Sequence, residues 1–178
     1  IMPCLVMLTG APGSGKSTYG KEVEVLLTKA NGLPTIVLST DDYVQWIADR
    51  HGSTYNEMWK DFYKSAESHM MTMLEFAIEK GWNILWDQTN LNEKVRIRKL
   101  ARIPNHYVKI SSTFDVDLDT LFERNKEREK IGKKLPDFVI RNAQLSLEYP
   151  ILKEGFNFTI TQDFELLEIR RILSTGTI

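Results

Sequence analysis

The segment TGAPGSGKST at residues 9–18 has the residue types and the spacing of a loop that binds a chain of phosphates. It fits the pattern G-x-x-x-x-G-K-[ST], in which glycines let successive backbone N–H groups turn towards an anion without a clash at Cβ. We expect Lys16 to reach the β- and γ-phosphates of a nucleotide and the Ser17 hydroxyl to bind Mg²⁺. The other loop residues expected to contact the nucleotide are Gly10, Ala11, Pro12, Gly13, Ser14, Gly15 and Thr18.

Aspartates follow two later apolar segments, where further chemistry is expected. Asp41 and Asp42 come directly after LPTIVLST, and Asp87 ends WNILWD. A hydroxyl that accepts a phosphate needs a carboxylate to take its proton, and Mg²⁺ needs oxygen ligands, so the two positions have two natural roles. For the adjacent pair, we expect one aspartate to act as the general base and the other to cap the following helix, since Asp is a favoured N-cap.

Two arginines, Arg124 and Arg128, lie four positions apart in FERNKERE and therefore on one face of a helix. Phosphoryl transfer needs cations that stabilise charge on the γ-phosphate when ATP is bound. The segment KIGKKLP that follows has the glycine and proline expected of a moving loop. We therefore predict a lid over about residues 124–136. The alternative is a pair of solvated arginines beside Glu127 and Glu129.

Strands alternate with helices along the chain, and several of the strands are apolar on both sides. This pattern predicts an α/β fold in which a parallel sheet is sandwiched between helices. Ligands of such sheets bind at the carboxyl ends of the strands, where the phosphate loop and the aspartates are predicted to meet. Six helices are predicted. The first follows the phosphate loop, the second runs from a Thr54–Glu57 capping box to Gly81, and the third starts near Asn92. The fourth runs from about Asp117 to Glu127, the fifth from Pro136 through Leu147, and the last is DFELLEIRRIL.

Length and composition favour one globular domain over residues 1–178. The net charge is −1, 42% of the residues are hydrophobic, and no apolar run approaches the length of a membrane span. The single cysteine, Cys4, excludes a disulfide framework and favours a reducing cytoplasm. The three histidines are scattered and have no metal-ligand spacing. We expect no membrane partner, and the sequence leaves the oligomeric state open.

Five motifs occur in the order and approximate spacing of a known kinase family: TGAPGSGKST, STDDY, DQTNLN, FDVDLDTLFERNKER and LPDFVIRNA. Over about residues 2–149 the chain resembles that family, the kinase domain of phage-type polynucleotide kinases. Members transfer the γ-phosphate of ATP to the 5′-hydroxyl of DNA or RNA. The resemblance therefore implies an adenylate-kinase-like P-loop fold with a lid, ATP and Mg²⁺ as cofactors, and a nucleic-acid end as acceptor. Carried over position by position, the resemblance implies that Lys16, Arg124 and Arg128 are the cations that contact the phosphates. It implies that Asp41 is the base and that Asp42 caps the helix or supports the base. Ser17 and Asp87 would then bind the metal, and Thr89 and Asn90 would contact the acceptor.

Two departures from the family pattern concern the acceptor and leave the ATP side unchanged. Val44 stands where the family has an arginine that grips the phosphate on the 3′ side of the acceptor nucleotide. Gln88 is an extra residue between Asp87 and Thr89. The reaction type is therefore better defined by the resemblance than the acceptor is.

The basic segment KVRIRKLAR, residues 94–102, offers cations that replace the missing arginine. Arg96 and Arg98 face different directions on a helix, so at most one is expected in the site, and we predict Arg96 because it is nearer the strand end. A solvated helix face is the alternative. Three functions remain open. The first is phosphoryl transfer to a polynucleotide end. The second is phosphoryl transfer to another hydroxyl, carried by a hydroxymethylated DNA base, a nucleotide or a small metabolite, and the third is a nucleotide-dependent switch without transfer. The base and the lid argue against the switch.

Overall fold

Residues 1–161 and 170–172 are described by the computed structural model, and they form an α/β fold around one parallel sheet. The strands are β1 (Cys4–Gly10), β2 (Thr35–Leu38), β3 (Asn83–Asp87), β4 (Val108–Phe114) and β5 (Phe158–Thr161). The α-helices bounded within residues 1–161 are α1 (Lys16–Asn31), α2 (Thr40–Arg50), α3 (Tyr55–Lys80), α4 (Glu93–Leu100), α5 (Leu118–Glu127) and α6 (Asp137–Leu145). Short 3₁₀ segments occupy Arg128–Ile131 and Leu152–Glu154.

The strand order is β2-β3-β1-β4-β5, and every neighbouring pair is parallel. All seven residues of β1 are buried because this strand lies at the centre of the sheet. Its side chains alternate between two apolar clusters: Val6 packs with Leu27 of α1 on one face, and Leu5 packs with Leu74 of α3 on the other. The predicted parallel sheet covered on both faces is therefore confirmed.

The long helix α3 begins as its sequence predicts. The hydroxyl of Thr54 accepts a hydrogen bond from the backbone N–H of Glu57 at 3.3 Å. Trp59, in the second turn of α3, is 43% exposed. The reason is that the first turns of α3 pack against α2, through Tyr55 and Val44, and not against the sheet.

The helix α2 is capped by Ser39 and not by an aspartate. The Ser39 hydroxyl accepts a hydrogen bond from the backbone N–H of Asp42 at 3.2 Å. Asp41 and Asp42 occupy the first turn, where the helix dipole favours carboxylates. The prediction that one of the two aspartates caps the helix is therefore wrong, and both carboxylates are available for other contacts.

The last predicted elements have mixed outcomes. The helix after Pro136 is present and ends at Leu145, slightly earlier than predicted. The closing helix DFELLEIRRIL lies outside the described residues except for residues 170–172, which are helical. None of the helices in the described ranges combines the length and the apolar character that crossing a bilayer requires.

Candidate active site

The loop between β1 and α1 has a backbone conformation that can surround a phosphate. Gly13 and Gly15 have φ angles of 83° and 97°, a left-handed conformation that strains other residues. Because α1 begins at Lys16, its first backbone N–H groups point into the same loop. Gly10 is required by packing, since a Cβ there would lie 2.7 Å from Ser14 Oγ and 2.9 Å from a backbone oxygen of β4.

The side chains of Lys16 and Ser17 are held at this loop by neighbouring groups. Lys16 Nζ donates to the Ala11 carbonyl at 3.3 Å, and Ser17 Oγ donates to Asp87 Oδ2 at 2.8 Å. A hydroxyl beside a carboxylate is a partial set of ligands for Mg²⁺, which completes its shell with phosphate oxygens and water. The described residues hold no cluster of three or more His, Cys, Asp or Glu that suits another metal. Ser17 and Asp87 therefore fit a nucleotide-bound Mg²⁺.

Asp41 is oriented by a tyrosine from another helix. Tyr55, the first residue of α3, donates its hydroxyl hydrogen to Asp41 Oδ1 at 2.7 Å. Tyr55 is itself buried against Val44 of α2, so its position is fixed by packing. One oxygen of Asp41 is thus held while the residue remains exposed. This arrangement suits a general base, which has to be oriented and also reachable by the acceptor.

Burial and opposite charges act against each other on the titratable groups of the site. Burial lowers the pKa of Lys16, while the nearby Asp87 and Asp41 raise it. Burial raises the pKa of Asp87, and Lys16 together with the Ser17 hydrogen bond lowers it. Partial burial also raises the pKa of Asp42, although this residue keeps contact with solvent. The ammonium of Lys16 is therefore the buried positive charge in a group of carboxylates.

The two arginines predicted for the lid lie near the phosphate loop and Asp41. Arg124 Nη1 donates to the Gly13 carbonyl at 3.0 Å. Arg128 Nε donates to the Lys133 carbonyl at 3.1 Å. Burial lowers the pKa of Arg128, and the facing carboxylate of Asp41 opposes that shift. Both guanidinium groups are thus engaged at the site and are not simply solvated.

The segment that follows the arginines, residues 132–134, is called the lid loop below and is fastened to the start of α3. Asn56 donates two hydrogen bonds to backbone carbonyls of the lid loop, each 3.0 Å long. Gly132 has a φ angle of 67°, and a Cβ there would lie 2.4 Å from Thr54 Cβ. A lysine of the lid loop lies 5.1 Å from the ring centre of Tyr55. The lid loop and the tyrosine that orients the candidate base therefore share one attachment point.

A polar network after β3 was not predicted from sequence. Gln88, the extra residue, donates to Thr40 Oγ1 of α2 at 3.2 Å and accepts from Lys99 Nζ of α4 at 2.8 Å. Lys99 also donates to Asn90 Oδ1. Burial lowers the pKa of Lys99 to about 8. Through this network Gln88 links the helix that carries Asp41 to α4.

The side chain of Asn90 holds the loop after β3. Its amide donates to the Leu8 carbonyl at 2.8 Å, and the residue is buried with a φ angle of 44°, which Asn tolerates better than most residues. Asn90 is 3% exposed and also belongs to the lining of the cleft between α3 and α4, so its contact with an acceptor stays a prediction. Thr89 is half-buried, and its carbonyl accepts from the Gly10 N–H at 3.0 Å.

Arg96 departs from the prediction. Its Nε and Nη2 atoms donate to the two carboxylate oxygens of Glu154 at 2.7 and 3.0 Å, and both side chains are fully buried. Arg96 Nη1 donates to the Asn90 carbonyl at 2.9 Å. A guanidinium enclosed in this way cannot contact an acceptor, so the predicted acceptor role of Arg96 is wrong. Arg98, the other candidate, is exposed and lines a cleft between α3 and α4.

Residues 5–150 match the family model described as an AAA domain, and this range contains the phosphate loop, the aspartates and the arginines of the site. The chain belongs to the AAA domain family. This AAA domain is 28% identical over 176 residues to L-seryl-tRNA(Sec) kinase of Methanococcus maripaludis. The match covers 96% of the chain, which spans 63% of the length of that relative.

Two solved structures are similar to this chain in fold. Kti12 of Chaetomium thermophilum, in complex with ADP-AlF3, matches with a TM-score of 0.60 at 18% identity, covering 97% of this chain and 96% of that one. A chain of the Pnkp1/Rnl/Hen1 RNA repair complex matches with a TM-score of 0.64 at 23% identity, covering 88% of this chain and 47% of that one. At these identities the two structures show that the fold is shared.

The AAA domain brings most of the residues predicted for catalysis to one edge of its sheet. Those that lie together around the phosphate loop are Lys16, Ser17, Asp41, Asp87, Arg124 and Arg128. Asp42 lines a separate cavity between α2 and α3. The contributions of Tyr55, Asn56 and Gln88 were missed. Their partners lie 14, 78 and 48 residues away along the chain, so no local pattern indicates them.

Proposed function

We propose that this AAA domain transfers the γ-phosphate of ATP to a hydroxyl, and that the acceptor is the 5′-hydroxyl end of a polynucleotide. The transfer rests on one observation: Asp41, with one oxygen held by Tyr55 at 2.7 Å, is an electrostatic neighbour of the phosphate-loop Lys16. A protein that only switches on a bound nucleotide has no need of a carboxylate oriented towards a second substrate. The geometry therefore favours an enzyme over a non-catalytic switch.

In the proposed reaction, Asp41 takes the proton of the acceptor hydroxyl through its second carboxylate oxygen. The hydroxyl oxygen forms a bond to the γ-phosphorus, and the bond from that phosphorus to the β,γ-bridging oxygen breaks, so ADP leaves with the electron pair. Lys16 neutralises charge on the β- and γ-phosphates. Mg²⁺ held by Ser17 and Asp87 would add a further cation on the same phosphates.

The lid, proposed over residues 124–136, contributes the remaining cations. Arg124 and Arg128 lie near the phosphate loop and Asp41, where transition-state charge on the γ-phosphate develops in the proposed reaction. Closure of the lid also excludes water, which strengthens each of these contacts and prevents hydrolysis of ATP.

A nucleic-acid acceptor is supported by the resemblance in the STDDY, DQTNLN and RN-x-x-R motifs. It is also supported by a neighbour in fold that belongs to an RNA repair complex. A second candidate acceptor is the hydroxyl of a seryl group carried on tRNA, which is favoured by the 28% identity to L-seryl-tRNA(Sec) kinase. Both acceptors are hydroxyls attached to nucleic acid.

The decisive experiment is a transfer assay with ATP radiolabelled at the γ-phosphate. The acceptors are 5′-hydroxyl oligonucleotides of DNA and RNA, seryl-tRNA, hydroxymethylated duplex DNA and a set of nucleosides. We expect label at the 5′ end of the oligonucleotides. Label on another acceptor alone would refute the polynucleotide assignment, and absence of label on every acceptor, with ATP bound, would favour the switch.

The same assay tests the base with two variants from one helical turn. Asp41→Asn is expected to keep ATP affinity and to lower the transfer rate roughly 10²–10⁴-fold, since an amide cannot accept the proton. Asp42→Asn is the matched control and is expected to retain most of the activity. Because Ser39 caps α2, neither change removes the cap. Retained activity in Asp41→Asn with loss in Asp42→Asn would assign the base to Asp42.

A further inference from the structure

A cleft of about 880 Å³ opens between α3 and α4. Its walls include Tyr63 and Glu67 of α3, Gln88 and Thr89 after β3, and Arg98 of α4. The cleft is separate from the phosphate loop, since no residue of that loop lines it. It is therefore available to a second substrate while a nucleotide occupies the loop.

Two contacts connect this cleft to the site of transfer. The Thr89 carbonyl at its edge accepts a hydrogen bond from the N–H of Gly10, the first residue of the phosphate-loop motif, at 3.0 Å. Burial and a hydrogen bond to Glu67 raise the pKa of Tyr63 to about 12, and the carboxylate of Asp41 adds to that shift. Tyr63 is thus an electrostatic neighbour of the candidate base.

The cleft has an excess of positive charge, with three cations, Arg98, Lys99 and Arg102, and the carboxylate of Glu67. Lys99 is occupied by the network with Gln88. Arg102 pairs with Glu75 at 3.6 Å. Within residues 1–161 and 170–172, Arg98 forms neither a hydrogen bond nor an ion pair, and its side chain is exposed. Arg98 is therefore the cation of this cleft that is available to a ligand.

Aromatic side chains extend the surface of the cleft along α3. The rings of Trp59 and Tyr63 lie 4.8 Å apart between centroids at an angle of 31°. Trp59 is 43% exposed, so part of its ring is open to a ligand. Aromatic surfaces beside unpaired cations are the combination that binds single-stranded nucleic acid, because bases stack on the rings and phosphates pair with the cations.

We propose that the cleft between α3 and α4 binds the acceptor as a single strand, with a base on Tyr63 and the phosphate on the 3′ side of the acceptor nucleotide at Arg98. This inference rests on the proposed function, because it identifies where the acceptor of that reaction lies. Arg98 thereby makes the phosphate contact that, in the polynucleotide kinases the chain resembles, comes from an arginine at the position of Val44. Val44 is fully buried in the packing of α2 on α3, so no phosphate contact is made from that position.

The experiment measures binding and transfer separately. A single-stranded 5′-hydroxyl oligonucleotide with a 3′ fluorophore is titrated with the protein in the presence of ADP, and anisotropy gives the affinity at several salt concentrations. Arg98→Ala is compared with Lys94→Ala, a matched control, since Lys94 is exposed on the same helix but does not line the cleft. Transfer of radiolabel to the same oligonucleotide is measured in parallel.

We expect Arg98→Ala to weaken binding about 10-fold and to reduce the slope of log K against log salt by about one, since one phosphate contact is lost. KM for ATP should not change. Tyr63→Ala should weaken binding with the salt slope unchanged, because a lost stacking contact releases no counterions. Lys94→Ala should match the wild type in affinity and slope.

Equal affinity and equal slope in Arg98→Ala, Lys94→Ala and the wild type would overturn the inference, even if the wild type phosphorylates the oligonucleotide. The proposed function would then stand with the acceptor bound elsewhere. Conversely, Arg98-dependent binding without transfer of label would support the cleft as a strand-binding site and would refute the polynucleotide 5′-kinase assignment. Absence of oligonucleotide binding by the wild type would overturn both.

Discussion

The buried ion pair between Arg96 and Glu154 predicts a large loss of stability when it is broken. The pair is fully enclosed, and each carboxylate oxygen of Glu154 accepts from the guanidinium, at 2.7 and 3.0 Å. Glu154 Oε2 also accepts from the backbone N–H of Ile151 at 3.0 Å. Arg96→Met removes the counter-charge and leaves a carboxylate without its main partner in a dry environment. Breaking such a pair costs about 3–5 kcal/mol, which is a large part of the roughly 5–15 kcal/mol that stabilises a domain.

The structure also predicts how a second substitution changes this cost. In Arg96→Met/Glu154→Leu the unpaired charge is gone, and apolar side chains fill the space. The Asn90 carbonyl still loses its hydrogen bond from Arg96, which was 2.9 Å long, and the Ile151 N–H loses its hydrogen bond to Glu154 Oε2, which was 3.0 Å long. An unsatisfied buried carbonyl costs about 1–3 kcal/mol, so the double variant should be more stable than the single variant. When the single variant Glu154→Leu is measured as well, the double-mutant cycle gives the coupling of the two side chains.

The assay is urea denaturation followed by tryptophan fluorescence. With a slope of about 2 kcal/mol/M, a loss of about 3–5 kcal/mol moves the midpoint down by about 1.5–2.5 M. Lys126→Met is the control, since it breaks an exposed ion pair with Glu123 at 3.1 Å, and exposed pairs contribute about 0–1 kcal/mol. A midpoint for Arg96→Met equal to that of the control would refute the reasoning. If Arg96→Met were fully stable and had a raised KM for the oligonucleotide, Arg96 would again be the residue that contacts the acceptor.

Other changes give separate expected results. Lys16→Ala should lower turnover on the order of 10³-fold or more with an unchanged circular dichroism spectrum, since a catalytic cation is lost and the fold is not; near-normal transfer would exclude the proposed site. Gly132→Ala should lower the free energy of unfolding by more than Gly52→Ala, because both have positive φ angles but only Gly132 would place a Cβ against another side chain; equal losses in thermal denaturation would contradict this packing. Tyr55→Phe should lower kcat about 10-fold with KM for ATP unchanged, since the hydrogen bond that orients Asp41 is lost; an unchanged kcat would show that the tyrosine is only structural.

Features encoded within a short stretch of sequence could be predicted. The phosphate loop is recognised because its glycines, Lys16 and Ser17 act within ten consecutive residues. The start of α3 is recognised for the same reason, since its cap involves residues three positions apart. The α/β fold was predictable because apolar strands buried on both faces differ visibly from amphipathic helices.

Features that depend on distant partners could not be predicted. Arg96 and Arg98 have the same chemistry and lie on one helix. Arg96 is buried with its charge paired to the carboxylate of Glu154, which is 58 residues away along the chain. The role of Gln88 depends on Thr40, which is 48 residues earlier. The cap of α2 was misassigned for another reason: Ser39 and Asp41 are both favoured N-caps, and propensity alone does not select the residue at which the helix begins.

The start of α3 connects the two parts of the site that have to act together. Tyr55 orients the candidate base, and Asn56, the next residue, holds the lid loop with two hydrogen bonds. Two neighbouring residues at a helix end cannot move independently, because the first turn fixes both backbones. The attachment of the lid loop and the residue that orients Asp41 therefore belong to one helix turn. In this structure the lid loop is docked on Asn56, Tyr55 holds Asp41 at 2.7 Å, and Arg124 lies at the phosphate loop.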